Sequence, residues 1–250
     1  ENFLRLGLFT GGYQRYKLEK AFADAKRFGY DYIELWGGFP HAYVGDLKTK
    51  GTAHIRALSD KYGIPVECYT PEHNAYPFNY MAGDERQWEK SMEYLEDAID
   101  ITAEIGAGKM LFSAGHAGYE VREDEMFGRL VKSLERLAEY AEKKNVTLVL
   151  EPLTVYESNV ICGLRDLDRA LTAVDRPNLA GMCDLAVPFT TGEPAAEYVA
   201  RLGDKFKYLH IIDNDGASDS HILPGDGSIP LAEVLGEIRT AGYDGQATIE

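Results

Sequence analysis

The chain has no run of about 18 apolar residues, which excludes a transmembrane helix of ordinary length. Cysteine is scarce: Cys68, Cys162 and Cys183 form an odd, widely spaced set without a CxxC pair. That spacing argues against a disulfide framework and a thiolate zinc site, and points to a reducing, cytoplasmic compartment. The opening residues, Glu1-Asn2-Phe3-Leu4-Arg5, lack the basic and apolar regions of a secretion signal. Basic side chains are few, 26 against 41 acidic ones, and the formal net charge is −15. A field of that sign repels phosphate backbones, so neither nucleic acid nor a membrane is an expected partner. No GxGxxG follows the first strand-like run, which removes support for a dinucleotide-binding fold. No linker, low-complexity segment or fixed-period repeat divides the sequence, and one domain over residues 1–250 is expected.

What the chain does contain is an alternation of short β-rich runs with longer stretches of helical period. The strand expectations are Arg5–Thr10, Asp31–Trp36, Pro65–Thr70, Lys109–Ser113, Thr147–Glu151, Leu179–Asp184, Tyr208–Ile212 and Gln246–Glu250. Helices are expected at Leu18–Phe28, Thr52–Tyr62, Glu85–Ile105, Glu123–Lys143, Leu167–Val174, Ala195–Leu202 and Leu231–Ala241. Gly29, Gly63, Gly106 and Gly242 follow apolar-periodic runs, as helix-ending glycines do. Strict alternation implies parallel strands with crossover helices, and eight strands imply an α/β closed barrel, the (β/α)8 TIM fold. A full barrel would carry an eighth helix after Glu250, where the sequence ends at its eighth strand.

Such barrels build their sites at the carboxyl ends of the strands. The fifth run ends in Glu151, the sixth in Asp184, the seventh carries His210 and the eighth ends in Glu250. One acidic residue at a strand end is as readily a cap or an ion-pair member. Four on successive strands are hard to explain by capping. Three carboxylates and one imidazole suit one divalent ion; Mn, Mg, Co, Ni and Zn are not distinguished by the sequence. With strands six and seven between them, Glu151 and Glu250 would approach from two flanks, as an acid/base pair for a two-face proton transfer must.

Glu151-Pro152-Leu153 with Glu157, Cys183-Asp184, Leu209-His210 and Pro224-Gly225-Asp226-Gly227 resemble the xylose-isomerase-like sugar phosphate isomerase/epimerase superfamily over nearly the whole chain. Within it, Glu34-Leu35-Trp36-Gly37-Gly38, Tyr69-Thr70-Pro71-Glu72, His116-Ala117-Gly118-Tyr119 and the run from His210 to Asp219 look especially like the fructoselysine 3-epimerases. The resemblance implies a metal-dependent barrel that inverts C3 of a ketose through an enediolate. It places the metal on Glu151, Asp184, His210 and Glu250, with the two glutamates as acid/bases, and Glu157 near the substrate. Related free-sugar epimerases carry a His where this chain has Val187 and an Arg near the position of His221. Both departures point to a sugar-amine in place of a plain ketohexose.

Further substrate candidates are His221, Trp36, Glu34 and His116, all expected on strand-end loops or rims. An acidic rim of Glu34, Glu72, Asp213 and Asp215 is expected to meet an ammonium group, and Glu67 to be structural. The aromatic stretch Tyr76, Phe78 and Tyr80 reads as a pocket wall or an oligomer contact, so a homo-oligomer stays open. Other readings remain: an aldose–ketose isomerase, an inosose-type dehydratase or a free-ketohexose epimerase on the same barrel. An endonuclease IV-like nuclease would need more than six histidines and a basic face. A non-catalytic sugar-binding barrel would lack the metal.

Overall fold

The structure, a computed structural model, describes residues 3–75 and 77–250. Glu1, Asn2 and Tyr76, which carried part of the expectations above, lie outside the described residues. Eight strands close into a parallel barrel in sequence order. They are β1 (Arg5–Phe9), β2 (Tyr32–Gly37), β3 (Val66–Pro71), β4 (Lys109–Ser113), β5 (Thr147–Glu151), β6 (Leu179–Asp184), β7 (Phe206–Ile211) and β8 (Gln246–Ile249). The barrel closes through β1 and β8, with Leu6 opposite Ala247 and Leu8 opposite Ile249.

Around it lie α1 (Leu18–Phe28), α2 (Val44–Lys50), α3 (Ala53–Tyr62), α4 (Glu85–Ile105), α5 (Glu123–Lys143), α6 (Leu164–Val174), α7 (Ala186–Thr191), α8 (Ala195–Leu202) and α9 (Leu231–Thr240). The long α4 has both of its ends written in sequence. Asp84 and Gln87 form a reciprocal capping box, and Gly106 closes the helix at φ 82°, a conformation costly for other residues.

Two helices depart from the expectations. Short α2 begins with no side-chain cap, and α7 carries Pro188 in its first turn, where the missing N–H is harmless. Neither has a sequence signal strong enough to mark it. The start of α6 lies three residues earlier than the pattern indicated. Its first amide, Leu164 N, donates to the Glu193 carboxylate at 3.3 Å, so the cap comes from a distant loop.

Strand alternation sorts side chains into two cores. Outward residues such as Ile33, Leu35, Phe112, Leu148, Leu150 and Leu209 pack under the helices. Inward residues Tyr32, Cys68, Leu111, Val149, Met182 and Tyr208 form a separate buried cluster inside the barrel. The Tyr32 and Tyr208 hydroxyls both meet Thr248 Oγ1, at 3.1 and 2.6 Å. These rings fill the barrel interior, and Gly7 makes room for them: a Cβ there would lie 2.3 Å from the Tyr32 ring and 2.9 Å from Thr248 Oγ1. Two residues further along the strands, the same period lifts the next inward layer to the rim.

Gly7→Ala should therefore destabilise the barrel by about 1–3 kcal/mol, as overpacked cores do. Urea unfolding of the two proteins checks this; an unchanged midpoint would show that the ring layer yields at no cost.

Candidate metal centre

The rim layer holds Glu34 from β2, Thr70 from β3, Ser113 from β4, Glu151 from β5, Asp184 from β6, His210 from β7 and, just past β8, Glu250. Backbone pairing sets these side by side: Ser113 opposite Glu151, and Asp184 opposite His210. Glu250 is anchored by its amide to Ile211 O at 3.2 Å.

Glu151, Asp184, His210 and Glu250 converge, with one ligand atom from each lying within 4.8 Å of all the others. His210 Nδ1 faces Glu250 Oε2 at 2.9 Å, Glu151 Oε1 at 3.1 Å and Asp184 Oδ2 at 3.9 Å. Asp184 Oδ1 accepts from the Ala186 amide at 2.8 Å, which aims its other oxygen at the cluster. His210 Nδ1 and Glu250 Oε2 are both buried and lie 2.9 Å apart, yet neither has a well-directed hydrogen-bond partner. Two orphaned donor atoms aimed at one point, among two further carboxylates, fit a hard-to-borderline divalent cation.

The electrostatics agree. Burial alone would push His210 down, but Glu34, Glu250 and Glu151 hold its pKa well above the ordinary value. Burial, reinforced by Glu250 and Asp184, pushes Glu151 up to about 8, against the opposing pull of His210. Asp184 rises to about 7 through burial and the Glu250 charge. Burial also acts upward on Glu250, but His210 and His221 outweigh it and hold it below the usual range. The two glutamates thus occupy electrostatically distinct environments.

A cavity opens above the cluster, lined by Asn74, Thr154, Glu157, Val187, Asp219 and His221 beside Glu151, Asp184 and Glu250. Burial and the Asp219 charge push Glu157 up to about 7. His221 is 45% exposed, with Nδ1 3.8 Å from Glu250 Oε1. No Lys or Arg lies among the described residues lining this cavity. A larger hollow of about 590 Å³ lies at the opposite barrel end around Arg5 and Lys109. It mixes opposite charges, Arg5 being held bidentately by Glu67, and contains no convergent donor set. Donor chemistry, not size, locates the candidate site.

The other sequence-derived candidates stand elsewhere. Glu34 is fully buried; it accepts from Thr70 Oγ1 at 2.7 Å and meets His210 Nε2 at 3.0 and 3.1 Å, behind the cluster and outside the cavity lining. Trp36 donates from Nε1 to Glu72 at 3.1 Å and lies outside the lining. His116 is turned to its own loop, its Nδ1 accepting from the Gly118 amide. Tyr80 is buried with its hydroxyl on Ser113 O, and Phe78 stacks on Tyr94, so these two are packing residues.

The expected acidic rim is also corrected. Asp213 is buried and accepts four backbone amides, from Asn214, Gly225, Gly227 and Ile229. A Cβ on Gly227 would lie 2.3 Å from that carboxylate, so the Pro-Gly-Asp-Gly turn is wrapped around it. Asp215 caps the turn at Ala217 and Ser218. The acids that do reach the cavity are Glu157 and Asp219, the latter accepting from Thr154 Oγ1 at 2.6 Å. Asn74 had no signal in sequence beyond its place in a strand-end loop, and Asp219 entered only as the last residue of the run from His210 that carries the family resemblance.

A family model described as xylose isomerase-like TIM barrel matches residues 22–250. A fructoselysine 3-epimerase of Shigella flexneri is 47% identical over 247 residues, covering 99% of this chain and 90% of that protein. An L-ribulose 3-epimerase of Methylomonas sp. (strain DH-1) is 27% identical, with 97% and 81% covered. The crystal structure of a Methylomonas sp. D-allulose 3-epimerase in complex with D-allulose superposes with TM-score 0.82 at 22% identity, covering 100% of this chain and 84% of that one.

Because the cluster crowds acids round one imidazole, a bound divalent ion should stabilise the fold. At a free concentration near 100 Kd the gain is about 2.7 kcal/mol. For a chain of this length that raises Tm by roughly 5–10 °C. Thermal melts of chelator-stripped protein with and without Mn²⁺ measure it, and coincident melts would count against an ion site.

Proposed function

Since the chain belongs to the xylose isomerase-like TIM barrel family and, within it, to the family of the fructoselysine 3-epimerases, we propose that it is a sugar epimerase that inverts C3 of a ketose carried on an amine, converting fructoselysine to psicoselysine. The observation that carries the reading is the convergence of Glu151, Asp184, His210 and Glu250 under a cavity with a glutamate on either flank. All four residues would hold one divalent ion, of a kind these residue types leave open among Mn, Mg, Co, Ni and Zn. When bound, such an ion supplies Lewis-acid polarisation of the ketone and offsets the charge that develops as the C3 proton leaves.

The rest falls to the chain's own residues. One of Glu151 and Glu250 takes the proton from C3, and the other returns a proton to the opposite face. β5 and β8 bracket β6 and β7, so the two carboxylates stand at the two ends of one arc. Glu157 and His221 line the cavity above them and orient the sugar. The cytoplasm is the compartment that suits three free thiols, two of them buried. One chain acts as one barrel unit on a small sugar or sugar-amine, with no nucleic-acid partner.

An amine-linked ketose carries a cationic secondary amine beside the reacting carbons. The acidic lining of Glu157 and Asp219, without a lysine or arginine, suits that charge, and buried Val187 offers a sugar hydroxyl no hydrogen bond. Binding energy from the remote amine part then positions C3.

Two outcomes are expected. Glu151→Gln and Glu250→Gln should each abolish epimerisation with the fold retained, metal content being measured alongside activity. NMR in D₂O follows C3: exchange without inversion in one variant assigns that residue to the returning face, whereas wild-type turnover in either refutes the two-base scheme. Label at C1 or a loss of water would instead indicate an isomerase or a dehydratase. Separately, kcat/KM should favour fructoselysine and psicoselysine over fructose and psicose. Two hydrogen bonds to charged groups, at about 1.5–3 kcal/mol each, correspond to a preference of orders of magnitude. Equal turnover of the free ketohexoses would overturn the substrate and leave the epimerase reading standing.

A further inference from the structure

Resting on the reading of the cluster as a metal centre, we infer that Glu34 is its positioning residue: it fixes the His210 ring as the Nε2–H tautomer and so directs the Nδ1 lone pair at the ion. Glu34 arrives from β2, outside the run β5–β8 that supplies the four converging side chains. Both its oxygens lie near His210 Nε2, at 3.1 and 3.0 Å. A carboxylate only accepts hydrogen bonds, so the ring nitrogen facing it must carry the hydrogen. When a divalent ion takes the place of the second proton, the imidazole is neutral and has one such hydrogen. Its other nitrogen, Nδ1, is then bare, and Nδ1 is the atom that faces Glu151, Asp184 and Glu250.

The carboxylate is itself fixed. Thr70 Oγ1 donates to Oε1 at 2.7 Å, and β2 and β3 pair side by side through Trp36 and Thr70. Glu34 is fully buried, and among the described ion pairs its one partner is His210. A buried carboxylate without a lysine or arginine is costly to keep. An apolar residue of similar volume would pack the same space but leave His210 Nε2–H and the Thr70 hydroxyl without their acceptor, so the carboxylate is tied to the ring it faces. Its position outside the cavity lining also removes it from contact with substrate. What remains is its effect on the imidazole: it stops the ring from turning, selects one tautomer and strengthens Nδ1 as a donor.

The test uses Mn²⁺ as the probe and the chelator-stripped full chain. Isothermal titration should give a Kd about 10–100-fold weaker for Glu34→Gln than for wild type, the range typical of lost partners of ligating histidines. Circular dichroism should show both proteins folded alike. In parallel, ¹⁵N–¹H correlation of the histidine rings in a diamagnetic Zn²⁺-loaded sample should assign His210 as Nε2–H in wild type, with that signal shifted or broadened in the variant. Unchanged affinity together with an unchanged ring signal would overturn the inference. Should Glu34→Gln fail to fold, Thr70→Val removes one hydrogen bond to the carboxylate and keeps its charge. A several-fold weaker Kd is expected there, and wild-type affinity overturns the inference. If the wild-type chain takes up neither ion, the metal-centre reading itself falls, and this inference with it.

Discussion

Repulsion among acids gathered on one imidazole is the constraint to which the rest of the molecule answers. Glu151, Asp184 and Glu250 face His210 Nδ1 while Glu34 faces Nε2, and among the described residues no lysine or arginine pairs with any of the four carboxylates. Two like charges about 4 Å apart repel by roughly 4 kcal/mol even at an effective dielectric of 20. Several such pairs would consume much of the 5–15 kcal/mol by which a domain is stable. A structure that keeps them together must be stiff, and a divalent cation is the partner that their donor set suits. The barrel supplies the stiffness, since each carboxylate leaves a different strand of one closed hydrogen-bonded ring.

The strand period explains why this centre was legible in the sequence. Inward positions recur every second residue, so Met182 and Asp184, Tyr208 and His210, and Val149 and Glu151 are successive layers of one interior. Reading the last polar residue of each strand therefore found all four members of the cluster. The same reading could not separate a residue that faces the cavity from one that faces a neighbour on the same layer. Glu34 occupies a rim position like the others, but the barrel curve turns it onto His210.

Loops were less legible, because their polar groups are satisfied at long range. Asp213 reads as a free acid beside His210, yet four amides from as far as Ile229 claim its oxygens. That clamp folds the segment after β7 so that Asp219 and His221 turn toward the cavity. The α6 start follows the same logic, with Glu193 as its cap. Short α2 and α7 carry neither an N-terminal side-chain cap nor periodicity long enough to register. Sequence pattern reports on repeated, local order, and these features are single and remote.

The ring layer beneath the rim has a bearing on the proton itself. Tyr32 and Tyr208 meet across Thr248 and fill the barrel interior beneath the carboxylates. A hydrogen lifted from the sugar meets solvent at the upper opening, where Thr154 ties to Asp219 and Tyr156 to Ala217 across two loops. In a two-base inversion the product's C3 hydrogen comes from the second glutamate, so the fraction of returned substrate, not of product, that keeps its original hydrogen becomes a clock for those loops. Its tick is the interval between the removal of a proton and the first breach of that upper opening.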